Sequence, residues 1–217
     1  MLQLTYKDKT GKNILCYATQ YGHTHLAREL LDTSQNPTRI LTEQDNSGLC
    51  ALTYLSMGAL TLAQHLNMTS LLDYFIINLN NDDSSLIESH AKLIQQCLVL
   101  SSMNNNQNIL AYLINTFIHK ANVYSDLISL DTIDSLKGET VLTIACSNGH
   151  KSICEFLLES TGILITGTNL KSWTPLLCAV KSGQWEIVEY LLGKDSQIIN
   201  QADKHGRDSL ILAASEG

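Results

Sequence analysis

Three short clusters in this sequence contain residue types that can do chemistry. Gly149-His150-Lys151-Ser152 comes closest to a phosphate-binding loop, although it lacks the spacing of that motif. His23-Thr24-His25 places two imidazoles near enough to each other to hold a metal ion. Cys146 and Cys154 are candidate thiolate nucleophiles, but their apolar neighbours favour buried structural thiols. No G-x-S-x-G or H-E-x-x-H motif accompanies them. We therefore predict no catalytic residue, no metal and no cofactor.

These clusters fall inside a pattern that recurs along the chain. Each copy has a turn with Gly or Ser, an apolar stretch ending in Ala, then a second turn and a Leu-Leu pair. The copies are Gly11–Ala18 with Gly22-His23 and Leu30-Leu31, Gly138–Ala145 with Gly149-His150 and Leu157-Leu158, Ser172–Ala179 with Gly183-Gln184 and Leu191-Leu192, and Gly206–Ala214. A fainter copy begins at Asp45 with Gly48 and Leu52. The two Gly-His pairs therefore occupy one place in a repeat, which favours a structural role for both.

Each position in the copy has a physical reason. Thr140 and Thr174 can cap a first helix, because their hydroxyl oxygens accept bonds from free backbone N–H groups. Pro175 follows at a first-turn position, where proline is tolerated. Apolar residues at helical spacing, such as Ile187, Val188 and Leu191, then give a second helix one buried face. The pattern predicts two-helix units that bury their apolar faces against neighbouring units.

The spacing from Gly138 to Ser172, and from Ser172 to Gly206, is 34 residues. This period and the internal pattern resemble the ankyrin-repeat family, whose repeats are roughly 33 residues long. The resemblance implies an all-α solenoid of stacked helix-turn-helix units with a divergent middle section. We divide the chain into ankyrin repeats over 1–79 (the second degenerate), a divergent helical repeat or insertion over 80–130, and ankyrin repeats over 131–217. The last copy is truncated, so we expect the parent protein to continue.

The middle section contains two polar stretches that we predict to be loops, Asn78–Asp83 and Met103–Asn108. Apolar residues at helical spacing predict helices over Ser89–Leu100 and Ile109–Lys120. This helix pair is either a degenerate repeat with longer loops or an insertion. We favour the degenerate repeat, because the stack must continue through this part of the chain.

Residues 131–217 also support a narrower resemblance. Gln184-Trp185-Glu186-Ile187-Val188 and Ala202-Asp203-Lys204-His205-Gly206-Arg207 are similar to the ankyrin region of TANC/rolling pebbles-type scaffold proteins. Members of that family carry an NTPase-like domain before the repeats and tetratricopeptide repeats (TPR) after them, and act as cytoplasmic scaffolds. The resemblance implies a scaffold role and TPR repeats in the parent protein.

Composition and charge narrow the choice of partners. A formal net charge of −7 disfavours non-specific binding to nucleic acid or anionic lipid. No apolar run approaches the roughly 18 residues of a membrane helix, and the first residues do not form a signal peptide. Six scattered cysteines then indicate reduced, mostly buried thiols. We expect a monomeric cytoplasmic module with no nucleic-acid partner and no membrane insertion.

The positive charges concentrate on the turns and first helices, which form the concave side of an ankyrin stack. This face carries seven Lys or Arg residues and two Glu, whereas the second helices are acidic. We hypothesise that it binds acidic peptide segments, with Trp173 as an aromatic anchor. The predicted protein-binding residues are Lys137, Lys171, Trp173, Lys181, Lys204 and Arg207. The alternative is a solvated lysine-bearing face without a partner.

The sequence therefore favours a non-catalytic protein–protein interaction module of a cytoplasmic scaffold or adaptor. A second possibility is a targeting module of a larger enzyme or of a secreted pathogen effector. Fold alone does not identify the partner, because repeat stacks bind unrelated proteins.

Overall fold

The computed structural model describes residues 6–57, 72–73, 87–119, 127–133 and 138–216. The chain forms two compact units, Met1–Leu127 and Ile128–Gly217. The described part of the first unit contains α1 (Ile14–Gln20), α2 (Thr24–Asp32), α3 (Pro37–Thr42), α4 (Ala51–Met57), α5 (Ile87–Met103), α6 (Gln107–Ile114) and a π-helical turn (Asn115–His119). The second contains α7 (Val141–Ser147), α8 (Lys151–Ser160), α9 (Pro175–Lys181), α10 (Trp185–Lys194), a 3₁₀ turn (Ser196–Asn200) and α11 (Ser209–Glu216). Across these residues there are helices and turns but no strand, which confirms the all-α prediction.

Local sequence explains where the first helices of the second unit begin. The Thr140 hydroxyl oxygen accepts the Thr143 backbone N–H at 3.2 Å, and Thr174 accepts that of Leu177 at 3.3 Å. Pro175 occupies the first turn of α9, where its missing N–H costs nothing. Both predicted caps are thereby confirmed, and they set the starts of α7 and α9.

The core of the second unit lies between successive repeats. α9 packs against α7 on one side and α11 on the other, and it also contacts its own partner helix α10. Leu177 and Ala179 of α9 are fully buried, as are Val141 and Ala145 of α7. Small alanines allow the first helices to approach closely, while Leu157 and Leu191 of the second helices close the core.

In the first unit, α4 is the central helix, because it contacts α1, α3 and α5. The predicted helices over Ser89–Leu100 and Ile109–Lys120 are present as α5 and as α6 with its π-helical extension. The polar stretch Met103–Asn108 contains the turn between them, whereas Asn78–Asp83 lies outside the described residues. α5 has 17 residues, far more than the seven of α1 or α4. Within the described ranges, no helix is both long and apolar enough to cross a bilayer.

Candidate protein-interaction surface

In the part of the chain that the structure describes, four repeats begin with the same side-chain-stabilised turn. In the second unit, the Asp203 Oδ1 accepts the backbone N–H groups of His205 at 2.8 Å and Arg207 at 3.0 Å. Asn169, 34 residues earlier, accepts those of Lys171 at 2.9 Å and Trp173 at 3.0 Å. Sequence analysis missed these acceptors, although an Asp or Asn three residues before the turn Gly or Ser is a visible signal. The equivalent acceptors in the first unit are Asp8 and Asp45.

Backbone hydrogen bonds join two pairs of successive turns. The Leu170 N–H donates to the Gly138 carbonyl at 2.9 Å, and in the first unit the Asn46 N–H donates to the Thr10 carbonyl at 3.0 Å. These two bonds fix the spacing of the turns that they join, whereas the turns that begin at Asn169 and Asp203 are linked through a side chain, that of Trp173.

Trp173 connects two successive repeats of the second unit. Its indole Nε1–H donates to Asp203 Oδ2 at 3.2 Å, and the Lys171 Nζ lies 5.4 Å from the centre of its ring. Trp173 is half-buried, while Lys171 is exposed. The indole edge therefore has a partner within the protein, and one ring face is covered by a cation.

Asp203 is a buried carboxylate, 6% exposed, that Arg207 neutralises. The Arg207 Nη2 lies 2.7 Å and its Nε 2.9 Å from Asp203 Oδ2. Burial by itself raises the pKa of Asp203, but hydrogen bonds from the Arg207 side chain and from the backbone outweigh it and hold the pKa below its usual value. Arg207 thus stabilises the turn, and its ion pair with Asp203 offsets much of its positive charge.

The remaining predicted residues are dispersed. Lys181 is exposed at the end of α9, about 10 Å of helix away from the turn that holds Lys171. Lys204 is exposed on the next turn and forms no ion pair with any described residue. Lys137 lies outside the described residues. The structure therefore brings Lys171, Trp173 and Arg207 together and leaves Lys181 apart from them.

Leu170 is an apolar side chain that the sequence analysis overlooked. It is 72% exposed at the tip of the turn that also carries Lys171. It places an apolar side chain directly beside the positive charge of Lys171. Trp185 is also exposed, at 58%, at the start of α10. We define the turn-side surface as Leu170, Lys171, Trp173, Lys181 and Lys204.

In the first unit, the corresponding surface is aromatic. The Lys12 Nζ lies 5.5 Å from the ring centre of Tyr17 and 4.4 Å from that of Tyr54, in the next repeat. The Tyr17 hydroxyl donates to Asp8 at 2.6 Å, and that of Tyr54 to Asp45 at 2.5 Å. Hydrogen bonds from Tyr17 and Thr10 lower the pKa of Asp8 to about 2.

The sequence clusters that contain reactive residue types occupy structural positions in the repeats. Gly149 and His150 form the turn between α7 and α8, and the His150 N–H donates to the Ala145 carbonyl at 3.0 Å. Cys146 and Cys154 are buried with their Sγ atoms 3.5 Å apart, and burial raises the pKa of Cys146 well above its usual value. These cysteines match the predicted buried thiols. In the part of the chain that the structure describes, His, Cys, Asp and Glu do not gather in threes that could hold a metal ion.

Comparison with known proteins agrees with this geometry. The family model described as ankyrin repeats (3 copies) matches residues 60–169, and the single ankyrin repeat matches residues 171–204. Glycerophosphocholine phosphodiesterase GDE1 of Candida albicans is 28% identical over 194 residues. That alignment covers 85% of this chain, and the chain spans only 15% of that relative.

The family matches cover most of the chain, including the middle section over 80–130 that carries little visible repeat pattern. Together with the stacked helix pairs and the repeated turns, they settle the family. The chain belongs to the ankyrin-repeat family, whose repeats form protein-interaction modules.

Proposed function

We propose that this chain is the partner-binding module of a cytoplasmic scaffold or adaptor, and that it binds acidic peptide segments on the turn-side surface. The observation that supports it most is the exposed Leu170 on the turn that also presents Lys171, with Lys204 exposed on the next turn. An apolar contact flanked by positive charges suits an acidic segment that contains one apolar residue. The chain itself supplies no chemistry to the complex. The scaffold assignment also draws on the resemblance to TANC-type proteins with TPR repeats.

The exposure and partners of the predicted residues support some of them more than others as contacts for a partner. Lys171, Lys181 and Lys204 are exposed and provide the positive charge. Arg207 and the Trp173 indole edge are engaged with Asp203, so they hold the turns in place and contribute less to a partner. Lys137 remains a predicted contributor from sequence. Leu170 replaces Trp173 as the principal apolar anchor.

A displayed library of acidic and neutral peptides tests the proposal. We expect acidic peptides to be enriched, and their affinity, measured by fluorescence anisotropy, to fall steeply as salt is added. The double variant Lys171→Glu with Lys181→Glu should weaken binding by about tenfold or more, since it reverses two charges at the surface. Leu170→Ser should weaken it through lost apolar contact.

The matched control reverses two exposed lysines elsewhere. Lys92→Glu with Lys151→Glu changes the net charge by the same amount on α5 and α8. Equal loss of binding in the two double variants would show that only net charge matters. A library that returns no acidic preference would contradict the proposal directly.

A second candidate function is a targeting module of a larger enzyme. The alignment with GDE1, a glycerophosphocholine phosphodiesterase, favours it because the aligned region spans most of this chain. The full-length parent protein decides between the two. Hydrolysis of glycerophosphocholine by the parent, together with none by residues 1–217 alone, would establish the enzyme, whereas TPR repeats in the parent favour the scaffold.

A further inference from the structure

The helices α1, α4, α7, α9 and α11 each begin directly after a repeat turn, and α1 exposes one side that the others bury. Its first and fourth residues, Ile14 and Tyr17, are exposed. The first and fourth residues of the other four helices are all buried: Ala51 and Tyr54, Val141 and Ile144, Pro175 and Cys178, Ser209 and Leu212. In α4 this side faces the preceding repeat, because α1 packs against α4 and the Lys12 Nζ lies 4.4 Å from the centre of the Tyr54 ring. We call Ile14 and Tyr17 the leading face.

The helix α11 exposes the other side. Its second and third residues, Leu210 and Ile211, are exposed. The second and third residues of the other four helices are all buried: Leu15 and Cys16, Leu52 and Thr53, Leu142 and Thr143, Leu176 and Leu177. At 3.6 residues per turn, these positions lie opposite to the first and fourth. They therefore face the following repeat, as in α9, which packs against α11. We call Leu210 and Ile211 the trailing face.

A side-chain contact between successive turns accompanies this helix packing in the second unit. Trp173, the last residue of its turn, donates from Nε1 to Asp203 Oδ2, the acceptor of the next turn, at 3.2 Å. Glu139, 34 residues before Trp173, accepts from the Asn169 Nδ2 of the next turn at 3.0 Å. Arg207 holds the same position on the turn before α11. Its guanidinium has five N–H donors, and the bonds to Asp203 use two of them. Donors therefore remain for the acceptor of a following turn.

That acceptor is present on the turn before α1. Asp8 Oδ1 accepts the Lys12 backbone N–H at 2.9 Å, and Asp8 Oδ2 accepts the Tyr17 hydroxyl at 2.6 Å. A carboxylate oxygen can accept a further hydrogen bond, as Asp203 Oδ2 does when it receives Trp173. Asp8 therefore matches Arg207 in charge, and a hydrogen bond between two ionised groups is among the stronger kinds.

We propose that this chain associates head to tail with a second copy of itself. The trailing face of one copy packs on the leading face of the next, and Arg207 of the first bonds Asp8 of the second. This contact continues the packing that α1 forms with α4 and α9 with α11 inside each copy. It replaces the monomer expected from the sequence, because the exposure of the two faces emerges only in the fold. Neither face contains a residue of the turn-side surface, so either proposal can fail without the other.

A head-to-tail contact joins two different surfaces. Each copy in a dimer therefore keeps one face unused, and association continues beyond the dimer. A symmetric contact between two trailing faces would stop at the dimer. The two arrangements are thus distinguished by how the mass grows with concentration.

Sedimentation equilibrium of the whole 217-residue chain tests the proposal. We expect the average mass to rise beyond that of a dimer as the concentration approaches about 1 mM. Ile14→Glu and Leu210→Glu should each weaken association at least about tenfold, because each buries a charge in the contact. The matched controls, Leu26→Glu and Leu164→Glu, place the same charge outside both faces at residues of similar exposure. Leu26 is 41% exposed against 39% for Ile14, and Leu164 is 60% exposed against 67% for Leu210.

An equimolar mixture of Ile14→Glu and Leu210→Glu tests the polarity of the contact. The first variant keeps its trailing face and the second its leading face, so the mixture should form dimers and no larger species. A mixture that stays monomeric would overturn the proposal, as would a wild-type chain that is monomeric at about 1 mM. Loss of association in only one of the two variants, or equal loss in the controls, would also overturn it.

Cross-linking of the wild-type chain makes the test independent of how the variants fold. A mixture of unlabelled and isotopically labelled chains separates links between copies from links within one copy. We expect links between copies to join Lys9, beside Asp8, to Lys204, on the turn before α11; both lysines are exposed. Links that instead join Lys204 of one copy to Lys204 of another would overturn the head-to-tail arrangement.

Asp8→Asn tests the contact with Arg207 separately. Asn169 shows that an asparagine can close such a turn, so the variant keeps the turn oxygen and loses only the charge. Sedimentation should show weaker association of this variant, because a charge-assisted hydrogen bond becomes a neutral one. Unchanged association would overturn the pairing of Arg207 with Asp8.

Discussion

The Asp203 side chain both closes its own turn and bonds the side chains of Trp173 and Arg207. Its Oδ1 closes the turn by accepting two backbone N–H groups, and its Oδ2 receives Trp173 and Arg207. Asn169 performs the first task at the same position of the preceding repeat without a carboxylate. An asparagine at residue 203 can therefore keep the turn while losing the ion pair.

We predict that Asp203→Asn lowers the free energy of unfolding by about 1 kcal/mol at neutral pH, with Asp203→Ala costing more because the turn acceptor is lost too. The pKa of Asp203 is depressed in the folded protein, so the ion pair stabilises above the unfolded pKa of about 3.9 and this stability is lost as pH falls. Urea unfolding of wild type and Asp203→Asn should show a constant difference above about pH 5 that shrinks below about pH 4. A difference that grows in acid would refute this account.

At the level of the element, the turn recurs in successive repeats, and whether its glycine can be replaced depends on how closely the next turn approaches it. Gly11 and Gly48 hold the same place in successive repeats of the first unit, with φ of 82° and 75°. A Cβ at Gly48 meets no atom within 4 Å. A Cβ at Gly11 would lie 2.9 Å from the Asn46 backbone nitrogen, the atom that donates to Thr10 and joins the two turns.

We predict that Gly48→Ala costs about 1 kcal/mol, the penalty of a left-handed conformation for a residue with a Cβ. Gly11→Ala should cost clearly more, because the next turn must move and its hydrogen bond to Thr10 must lengthen. Thermal unfolding of the two variants measures the difference, and amide exchange at Asn46 reports the bond itself. If the two variants unfold at the same temperature, the close approach between turns adds nothing to the cost of replacing Gly11.

Some elements of this structure can be predicted from sequence, whereas others depend on contacts between repeats. The first helices were predictable because Thr140, Thr174 and Pro175 carry local signals that need no tertiary information. The exposure of Leu170 and Trp185 was not, since it depends on which neighbouring repeat reaches those side chains.

At the scale of the whole molecule, stability comes from interfaces between neighbours, as in other repeat stacks. In the second unit, α9 has a first helix on each side, whereas the described contacts place α11 against α9 on one side. Leu177 of α9 and Leu212 of α11 are both buried, at 0% and 1% exposure. They are the same residue type at comparable burial, and they differ in how many interfaces their helix supports.

We predict that Leu177→Ala destabilises the second unit by about 2 to 5 kcal/mol, as expected for a core leucine that leaves a cavity, and that Leu212→Ala costs less. Hydrogen exchange distinguishes a loss of amide protection within the mutated helix from a loss that spreads to the neighbouring helices. With Leu177→Ala, amide protection should fall in α7 and α11 as well as α9, because both neighbours lose part of the surface that covers them. With Leu212→Ala, the loss should be concentrated in α11. Equal and uniform loss across α7, α9 and α11 in both variants would mean that the unit unfolds as one cooperative block, and nearest-neighbour coupling would then be the wrong description.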